Sequence, residues 1–371
     1  MKICPQCQIE TSSTHCVSCG TQVVAPDRDH FPPVSWDEIR DEFVRRLMIE
    51  KEWMIDGEDC FTWWPGTVPQ KVYVSSRVEI EVDGNWETLV RVTVESELGK
   101  AVDRERALVR VADLMIDYPF GSIVVLDDNI VLAVSSVAMY GYSRSLIGLL
   151  VEEALVQATF SQELAAKLER EGEVASDFPI HPESGRRDVV DELVQNIYGN
   201  DTFASINEDL VPIRGVVRDF WHKRIQNEPV QLGFQNDEVT FFTFEDRFDC
   251  GVGWRDDEYC AQRFGPSLMV WNNLAQSKSS LSYEAMNSLN LSIAFEYDRG
   301  IGHLGGVTQQ QLEEWNSIQH VAVLPHYFLQ SSGDGAEGSI MNGYNAILQA
   351  TACARYAFWL LNSTQENLGA Q

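Results

Sequence analysis

Residues 72–94 read VYVSSRVEIEVDGNWETLVRVTV, and this stretch decides the fold. Apolar side chains alternate with polar ones along its first half, the period-two pattern of a half-buried strand: Val72, Val74, Val78, Ile80 and Val82. Asp83–Gly84 is a dipeptide typical of two-residue hairpin turns. Because the apolar pattern resumes from Leu89 to Val94, the stretch predicts two antiparallel strands of one sheet.

Helices are predicted on both sides of this hairpin. Ser35 followed by Glu38 forms a capping box, and apolar residues at helical spacing follow it, so a helix begins there. After the hairpin the pattern predicts a helix, two strands and a long helix, at about Asp103–Ile116, Ser122–Leu126, Ile130–Val137 and Ser143–Glu171. The element order of this unit is α-β-β-β-α-β-β-α, and the sequence does not delimit its first strand.

The second half of the chain repeats this order. Its predicted elements are a helix, three strands, a helix, a strand and a last helix, at Phe203–Gln226, Val230–Phe234, Val239–Phe244, Leu268–Trp271, Tyr283–Ile293, Val321–Leu329 and Gly335–Leu361. Two matches at one offset of 192 positions favour duplication: ALVQAT at 154–159 with AILQAT at 346–351, and Val131–Leu132 with Val323–Leu324. The sequence therefore predicts an α+β protein with antiparallel sheets in two tandem α-β-β-β-α-β-β-α domains, 30–175 and 200–371.

The composition limits the kinds of partner. The 371 residues include 56 acidic and 28 basic side chains, a net charge of −28 that repels nucleic acid and anionic lipid. The N-terminus lacks a secretory signal, and the most apolar stretch, 146–160, is interrupted by Glu152 and Glu153. We therefore expect a cytoplasmic protein with no membrane partner. Four scattered cysteines are expected to be small buried residues: Cys60, Cys250, Cys260 and Cys353.

Four further cysteines stand in two pairs near the start of the chain. The sequence CPQC at 4–7 is followed, after eight residues, by CVSCG at 16–20. Two such pairs supply the four thiolates of a closed tetrahedral Zn²⁺ site, so Cys4, Cys7, Cys16 and Cys19 are the predicted ligands. Residues 8–15 leave room for a short hairpin, and the metal supplies the folding energy of a segment without a core. A disulfide or a redox-active pair remains the alternative.

Segment 1–25 resembles the short prokaryotic zinc ribbons of the form CPxC…CxxCG. Gln8 departs from that pattern, because those ribbons often carry glycine after the first pair. The segment has one lysine and no arginine, so it lacks the basic patch of a DNA-binding ribbon. We expect a structural or protein-contact role.

The element order, the acidic charge and the long terminal helices resemble the type III secretion chaperone-like fold, including YbjN-type domains. The resemblance covers about 330 residues and consists of pattern rather than of a short motif. It implies a non-catalytic protein that binds an extended peptide or a partner protein against its sheet or helices. Secretion chaperones of this type are acidic homodimers, so two copies in one chain could form an internal pseudo-dimer.

Catalytic motifs are not recognisable in the sequence, and we expect no enzyme. Gly300–Gly305 matches GxGxxG, but no strand–helix context for a nucleotide surrounds it, so a glycine-rich loop is the preferred interpretation. Trp63 and Trp64 are the candidate partner-binding residues, because strand alternation would place them on opposite faces. The alternative is that both pack beneath the first or last helix. Three functions stay open: a chaperone-like peptide binder, a scaffold with one dedicated partner, and an unrecognised enzyme.

Overall fold

The computed structural model describes residues 2–3, 10–11, 34–82, 85–118, 121–126, 130–139, 144–175, 230–235, 239–244, 249–255, 267–296, 302–312, 315–325, 347 and 349–363. These residues form a mixed α/β fold with antiparallel sheets. The predicted helix at 203–226 and most of the region between the two halves lie outside them. No helix within the described ranges combines the length and apolar character needed to cross a membrane.

The first half of the chain builds most of an eight-stranded sheet. Its elements are α1 (Trp36–Arg46), β3 (Met54–Gly57), β4 (Cys60–Trp63), β5 (Gln70–Val82), β6 (Asn85–Ala101), α2 (Arg104–Asp117), β7 (Ser122–Val125), β8 (Ile130–Met139), α3 (Arg144–Arg170) and β9 (Val174–Ala175). They follow a separate pair, β1 (Lys2–Ile3) and β2 (Glu10–Thr11). Strands β3, β4, β5, β6 and β8 lie side by side in that order, with β7 on the outer edge of β8.

The predicted elements of this half are present, with one strand more than expected. The capping box is confirmed: Glu38 donates its backbone N–H to the Ser35 hydroxyl at 3.2 Å. Four strands precede α2 instead of three, because β3 and β4 form a short hairpin whose turn contains Asp59 in the left-handed region (φ 55°). Strand β3 is an exposed edge strand, so its sequence carries no alternating apolar signal.

The second half builds a six-stranded sheet. Its elements are β10 (Val230–Gln235), β11 (Val239–Phe244), β12 (Asp249–Arg255), β13 (Ser267–Ser277), α4 (Tyr283–Leu291), β14 (Gly302–His303), β15 (Gly306–Leu312), β16 (Trp315–Pro325) and a last helix, α5, at 349–363. A short π-helical stretch, Ser292–Glu296, extends α4. Strands β12 and β15 were not predicted, because the first contains two glycines and the second is largely polar. Strand β14 leaves this half and pairs with β8 of the first sheet.

The two sheets have the same strand order. The first runs β3-β4-β5-β6-β8-β7, and the second runs β10-β11-β12-β13-β16-β15, with one helix before the edge strand and one after its neighbour in both. Ser122 opens β7 opposite Val134, and Gly306 opens β15 opposite Val321, which makes Val134 and Val321 equivalent. Matched at these first residues, the two strands are offset by 187 positions, five fewer than the 192 of the sequence match of Val131–Leu132 with Val323–Leu324.

One hydrophobic core extends through both halves. Buried side chains of the first sheet and α3, such as Phe61 and Leu150, belong to the same contiguous cluster as Leu268, Ile318 and Ala354 of the second half. Removal of this apolar surface from water is the main force that holds the halves together. The predicted domains therefore share a core along a common seam.

Candidate functional site

Helix α4 lies at the seam and bonds to the edge strand of each sheet. The Asn287 side-chain amide accepts from the backbone N–H of Val125 and donates to its carbonyl, both at 2.8 Å. One turn later, Asn290 makes the same pair of bonds to Val307, at 2.7 and 3.0 Å. Both asparagines are buried. This asparagine clamp (Asn287 and Asn290) supplies the bonds that a neighbouring strand would make, and so satisfies edge groups of β7 and of β15.

The glycine-rich segment carries the chain from one sheet to the other. His303 in β14 pairs with Ser136 of β8, and Gly305 then turns the chain into β15 with a positive φ of 78°. A side chain at Gly305 would overlap the Val321 carbonyl, so only glycine fits. A side chain at Gly306 would meet the terminal methyl group of Met115 of α2, the far end of a flexible side chain. From Gly302 onward the GxGxxG pattern enters two strands rather than opening a helix, so it does not form a dinucleotide-binding turn.

Two fully buried histidines lie beside this crossover. The Nε2 atom of His303 lies 2.9 Å from the Ser122 hydroxyl of β7, which joins the two halves. The pKa of His303 is lowered to about 3, and burial is the main cause. The neighbouring His320 and Arg91 also lower this pKa, whereas the hydrogen bond to the Gly305 carbonyl raises it. Burial also lowers the pKa of His320 to about 4, against a smaller opposite effect of the Leu304 carbonyl. Both rings are therefore neutral at pH 7.

Burial also disfavours the charged form of two other described groups near the seam. Burial raises the pKa of the Glu153 carboxyl well above its usual value and that of the Cys353 thiol to about 12. Glu153 and Ser135 line a cavity of about 20 Å³, room for about one water molecule. Arg91 keeps its charge and donates to the Ser136 hydroxyl at 2.9 Å. The seam is thus a low-dielectric region that disfavours the charged forms of its histidines, Glu153 and Cys353.

A groove of about 530 Å³ opens on the surface of the seam. One wall is α2 of the first half, with Ala112 and Asp113, and the others come from α4, β15 and the 278–280 loop of the second. The lining is rich in hydroxyl and amide groups, including Ser279, Ser280, Gln309, Gln311 and Asn316. Tyr283 lines the groove and is 44% exposed. The side-chain ammonium of Lys278 lies 5.2 Å from the ring centre of the exposed Trp315.

The groove runs along an open sheet edge. Val307 directs its N–H and C=O away from β16 and towards Asn290, and backbone direction alternates along a strand. Without a register shift in β15, Gln309 and Gln311 direct their backbone groups the same way. Across the ranges that the structure describes, these outward groups have no backbone partner. Gln309 and Gln311 therefore present a short edge to the groove.

The predicted partner residues do not contribute to this surface. Trp63 is fully buried, with its indole N–H donated to Gln70 at 2.9 Å, and Trp64 is 4% exposed. The prediction of an exposed tryptophan pair is corrected: both belong to the interior, because Trp64 follows the last residue of β4 and strand alternation no longer governs its direction. The asparagine clamp and the open edge gave no recognisable sequence signal, since buried amides on a short helix resemble ordinary polar positions.

The predicted zinc ligands Cys4, Cys7, Cys16 and Cys19 lie outside the described residues. Strands β1 and β2 pair antiparallel, with Ile3 opposite Glu10, and so bring together the two ends of the segment that contains the first cysteine pair. A CxxC pair between two paired strands fits a zinc ribbon. Of the predicted short hairpin at 8–15, only residues 10–11 are described, and they pair with residues 2–3.

Two of the remaining cysteines confirm the prediction of buried residues, and Cys60 does not. Cys250 and Cys353 are buried and reduced, and Cys60 is half-buried. Burial raises the pKa of both buried thiols, so neither is a ready nucleophile at pH 7. Cys260 lies outside the described residues.

Comparisons with known proteins give this chain no family. No protein-family model, no curated protein and no solved structure matches it. The resemblance to secretion chaperones and the function of the groove therefore rest on the sequence pattern and geometry of the chain itself.

Proposed function

We propose that this protein is a non-catalytic, chaperone-like protein that binds an extended peptide segment of a partner protein in the seam groove. The observation that carries the proposal is the open edge of β15, where Gln309 and Gln311 direct unpaired backbone groups into a groove lined by both halves. A bound segment would add to β15 as a further strand. Main-chain bonds of this kind tolerate many sequences, and the groove side chains would add selectivity.

The proposal includes tandem copies of one domain arranged as an internal pseudo-dimer. It is supported by the shared strand order and by reciprocal contacts at the seam. Helix α2 of the first half packs on β15, where Met115 meets Gly306, and α4 of the second half bonds to β7 through Asn287. Equivalent helices thus contact the opposite half's edge strand, as a two-fold arrangement requires.

The net charge favours one class of partner segment. A chain with a net charge of −28 slows the approach of acidic segments and attracts basic ones. Within the groove, Asp113 and Lys278 are of opposite sign, so the local lining adds little net charge. We therefore propose a segment that is neutral to basic and polar in its side chains.

Among the described residues, the seam has one serine–histidine contact, and a substrate cannot reach it. Ser122 and His303 are both fully buried, so a substrate cannot reach the hydroxyl without separation of the halves. This supports a binding role over an enzymatic one. Nucleophilic catalysis needs the serine exposed to the substrate with the histidine as its base.

Substitution at the edge tests the proposal directly. Gln311→Pro removes an outward N–H and places a ring where an added strand would lie, and it leaves the β16 bonds intact because that N–H points away from β16. Gln311→Ala is the matched control, since it keeps the backbone N–H. Immobilised full-length wild type and Gln311→Ala should both capture partners from native lysate. Immobilised Gln311→Pro should capture at least tenfold less partner.

The captured set also decides between the two binding functions. Several clients lost together in Gln311→Pro support the chaperone-like function, whereas one stoichiometric partner supports the scaffold. Equal capture by Gln311→Pro and Gln311→Ala would remove the β15 edge from the mechanism.

We also propose that Cys4, Cys7, Cys16 and Cys19 hold one structural Zn²⁺. The pairing of β1 with β2 around the first cysteine pair supports this, and four thiolates satisfy the tetrahedral preference of zinc. Protein purified without chelator should contain one zinc per chain, and a Cys4→Ser/Cys16→Ser variant should contain none. Full zinc retention by that variant would contradict the assignment.

A further inference from the structure

We propose that the seam groove is acid-sensitive, and that mild acid opens the contact between β7 and α4 by protonating the buried histidines His303 and His320. The opening itself depends only on the seam geometry. Its consequence, release of a bound segment, rests on the function proposed above.

His303 is placed where it joins the two halves. Its backbone pairs with Ser136 of β8, its ring contacts Ser122 of β7, and the chain continues through Gly305 into β15. His320 lies in β16 opposite Val307 and faces the Leu304 carbonyl of the same crossover. Both rings are fully buried. A proton on either ring therefore places a charge inside the seam.

Among the described residues, the charged or titratable groups that act on His303 are His320 and Arg91 of β6, and both disfavour a proton on its ring. Cys353 of α5 is an uncharged thiol at pH 7. Burial raises the pKa of the Glu153 carboxyl of α3, which disfavours its charged form. A buried imidazolium beside Arg91 is strongly unfavourable, and exposure to water relieves it.

Opening of the seam separates the walls of the groove. Ala112 and Asp113 of α2 belong to the first half, whereas the rest of the lining belongs to the second. The polar contacts that cross between them include the Asn287–Val125 pair and an exposed ion pair of Arg104 with Glu284 at 3.0 Å. An exposed ion pair adds little stability, so the histidine contact and the clamp dominate this polar part of the seam.

Amide hydrogen exchange of the full chain tests the proposal with an internal control. The Val125 N–H is protected by Asn287 across the seam, whereas the Val68 N–H is protected in the same way by the Gln162 side chain within the first half, at 2.9 Å. After correction for the intrinsic exchange rate, the opening constant at Val125 should rise about fifteenfold for each histidine exposed between pH 6.5 and 5.0. Val68 should change less than threefold over the same range.

Variants identify the titrating groups. Glutamine in a His303→Gln/His320→Gln double variant cannot titrate and keeps an amide donor near the position of Nε2. The acid-dependent rise at Val125 should fall below threefold in this variant. The same rise in wild type and variant, or no rise in the wild type, would overturn the proposal.

If the double variant does not fold, a second measurement on the wild-type protein still tests the proposal. In wild-type protein, ring resonances of two histidines should titrate with midpoints well below 6.5, because the closed seam opposes their protonation. Titration of all seven rings near pH 6.5 would overturn the proposal.

Release of captured partner at low pH distinguishes this proposal from the proposed function. Captured partner should elute at pH 5.0 from the wild type and remain on the double variant. Opening at Val125 without elution would support the acid-sensitive seam and contradict the groove as the binding site.

Discussion

The two halves share a strand order but differ in how they fill the same polar layer beneath their long helices. In the first half, Gln157 of α3 accepts from Gln70 and Ser96, at 3.2 Å each, and donates to the Val94 carbonyl. In the second half, the aligned Gln349 of α5 instead donates to Ser136 in the other sheet, at 3.0 Å. The bonds of Gln157 therefore stay within the first half, whereas the bond of Gln349 crosses the seam to the first half.

The difference shows how two sheets with the same strand order can build an interface. Sheet register places Cys250 and Asn272 of the second half at the positions of Gln70 and Ser96. Neither polar atom of the Asn272 side chain has a partner among the described residues, whereas Gln70 bonds to Trp63 and to the Ala154 carbonyl. At these described positions, the first half bonds its polar side chains internally, whereas Gln349 of the second half bonds to the first half.

The largest expected effect comes from the crossover, which has no counterpart between the sheets elsewhere in the described chain. Gly305→Ala should lower the free energy of unfolding by about 3 kcal/mol or more, because the positive φ is strained for alanine and the new Cβ meets the Val321 carbonyl. Gly172 is the matched control: its φ is 72°, but no atom lies within 4 Å of the place that a Cβ would take. Gly172→Ala should cost about 1 kcal/mol, the strain of a positive φ alone.

Urea unfolding of the two glycine variants measures this difference. An equal loss in both would mean that backbone strain, rather than the close approach of the two strands, limits position 305. A larger loss in Gly172→Ala would contradict the crossover as the structural constraint on the glycine-rich segment.

Alanine substitution of Gln157 and of Gln349 should change the free energy of unfolding by intermediate amounts and tests the comparison of the two halves. Gln157→Ala leaves the Ser96 hydroxyl and the Val94 carbonyl without their partner, so it should cost about 3 kcal/mol. Gln349→Ala removes one bond, to Ser136, and should cost about 2 kcal/mol. Because both side chains are buried, the cavity contribution is similar, and the difference reports the hydrogen bonds.

Hydrogen exchange locates the two effects. Gln157→Ala should raise exchange in β5 and β6, and Gln349→Ala should raise it at the pairing of β8 with β14. The same exchange pattern in both variants would show that the two polar layers serve the same purpose.

The sequence predicted elements better than contacts, for physical reasons. Capping side chains and alternating apolar residues are local signals, so α1 with Ser35 as its cap, the β5–β6 hairpin and α2 were predicted to within a few residues. Strand β15 was missed because GVTQQQL at 306–312 has no apolar alternation, and its place is set by pairing with β16. Trp63 and Trp64 were misassigned because exposure depends on which helix covers a strand, and no local pattern encodes that.

The prediction with the clearest sign concerns Glu153. The alignment of ALVQAT with AILQAT places Asn345, a neutral amide, at the position of Glu153, so Glu153→Gln makes the first half resemble the second. Burial raises the pKa of the Glu153 carboxyl in the folded state above the usual value of 4.5. The folded protein therefore retains a proton that the unfolded chain releases above pH 4.5, and stability falls as the pH rises through that window.

Glutamine does not titrate, so the stability gain of Glu153→Gln should be near zero at pH 4 and should grow by about 1.4 kcal/mol per pH unit up to the folded-state pKa. The buried histidines contribute the opposite slope below pH 6.5, but they do so equally in both proteins and cancel in the difference. Urea unfolding from pH 4 to pH 8 measures the gain, with Glu169→Gln, exposed on the same helix, as the control for loss of one carboxylate. A difference between Glu153→Gln and wild type that does not depend on pH would show that Glu153 is ionised in the folded protein, and the seam would then hold a negative charge opposite Arg91.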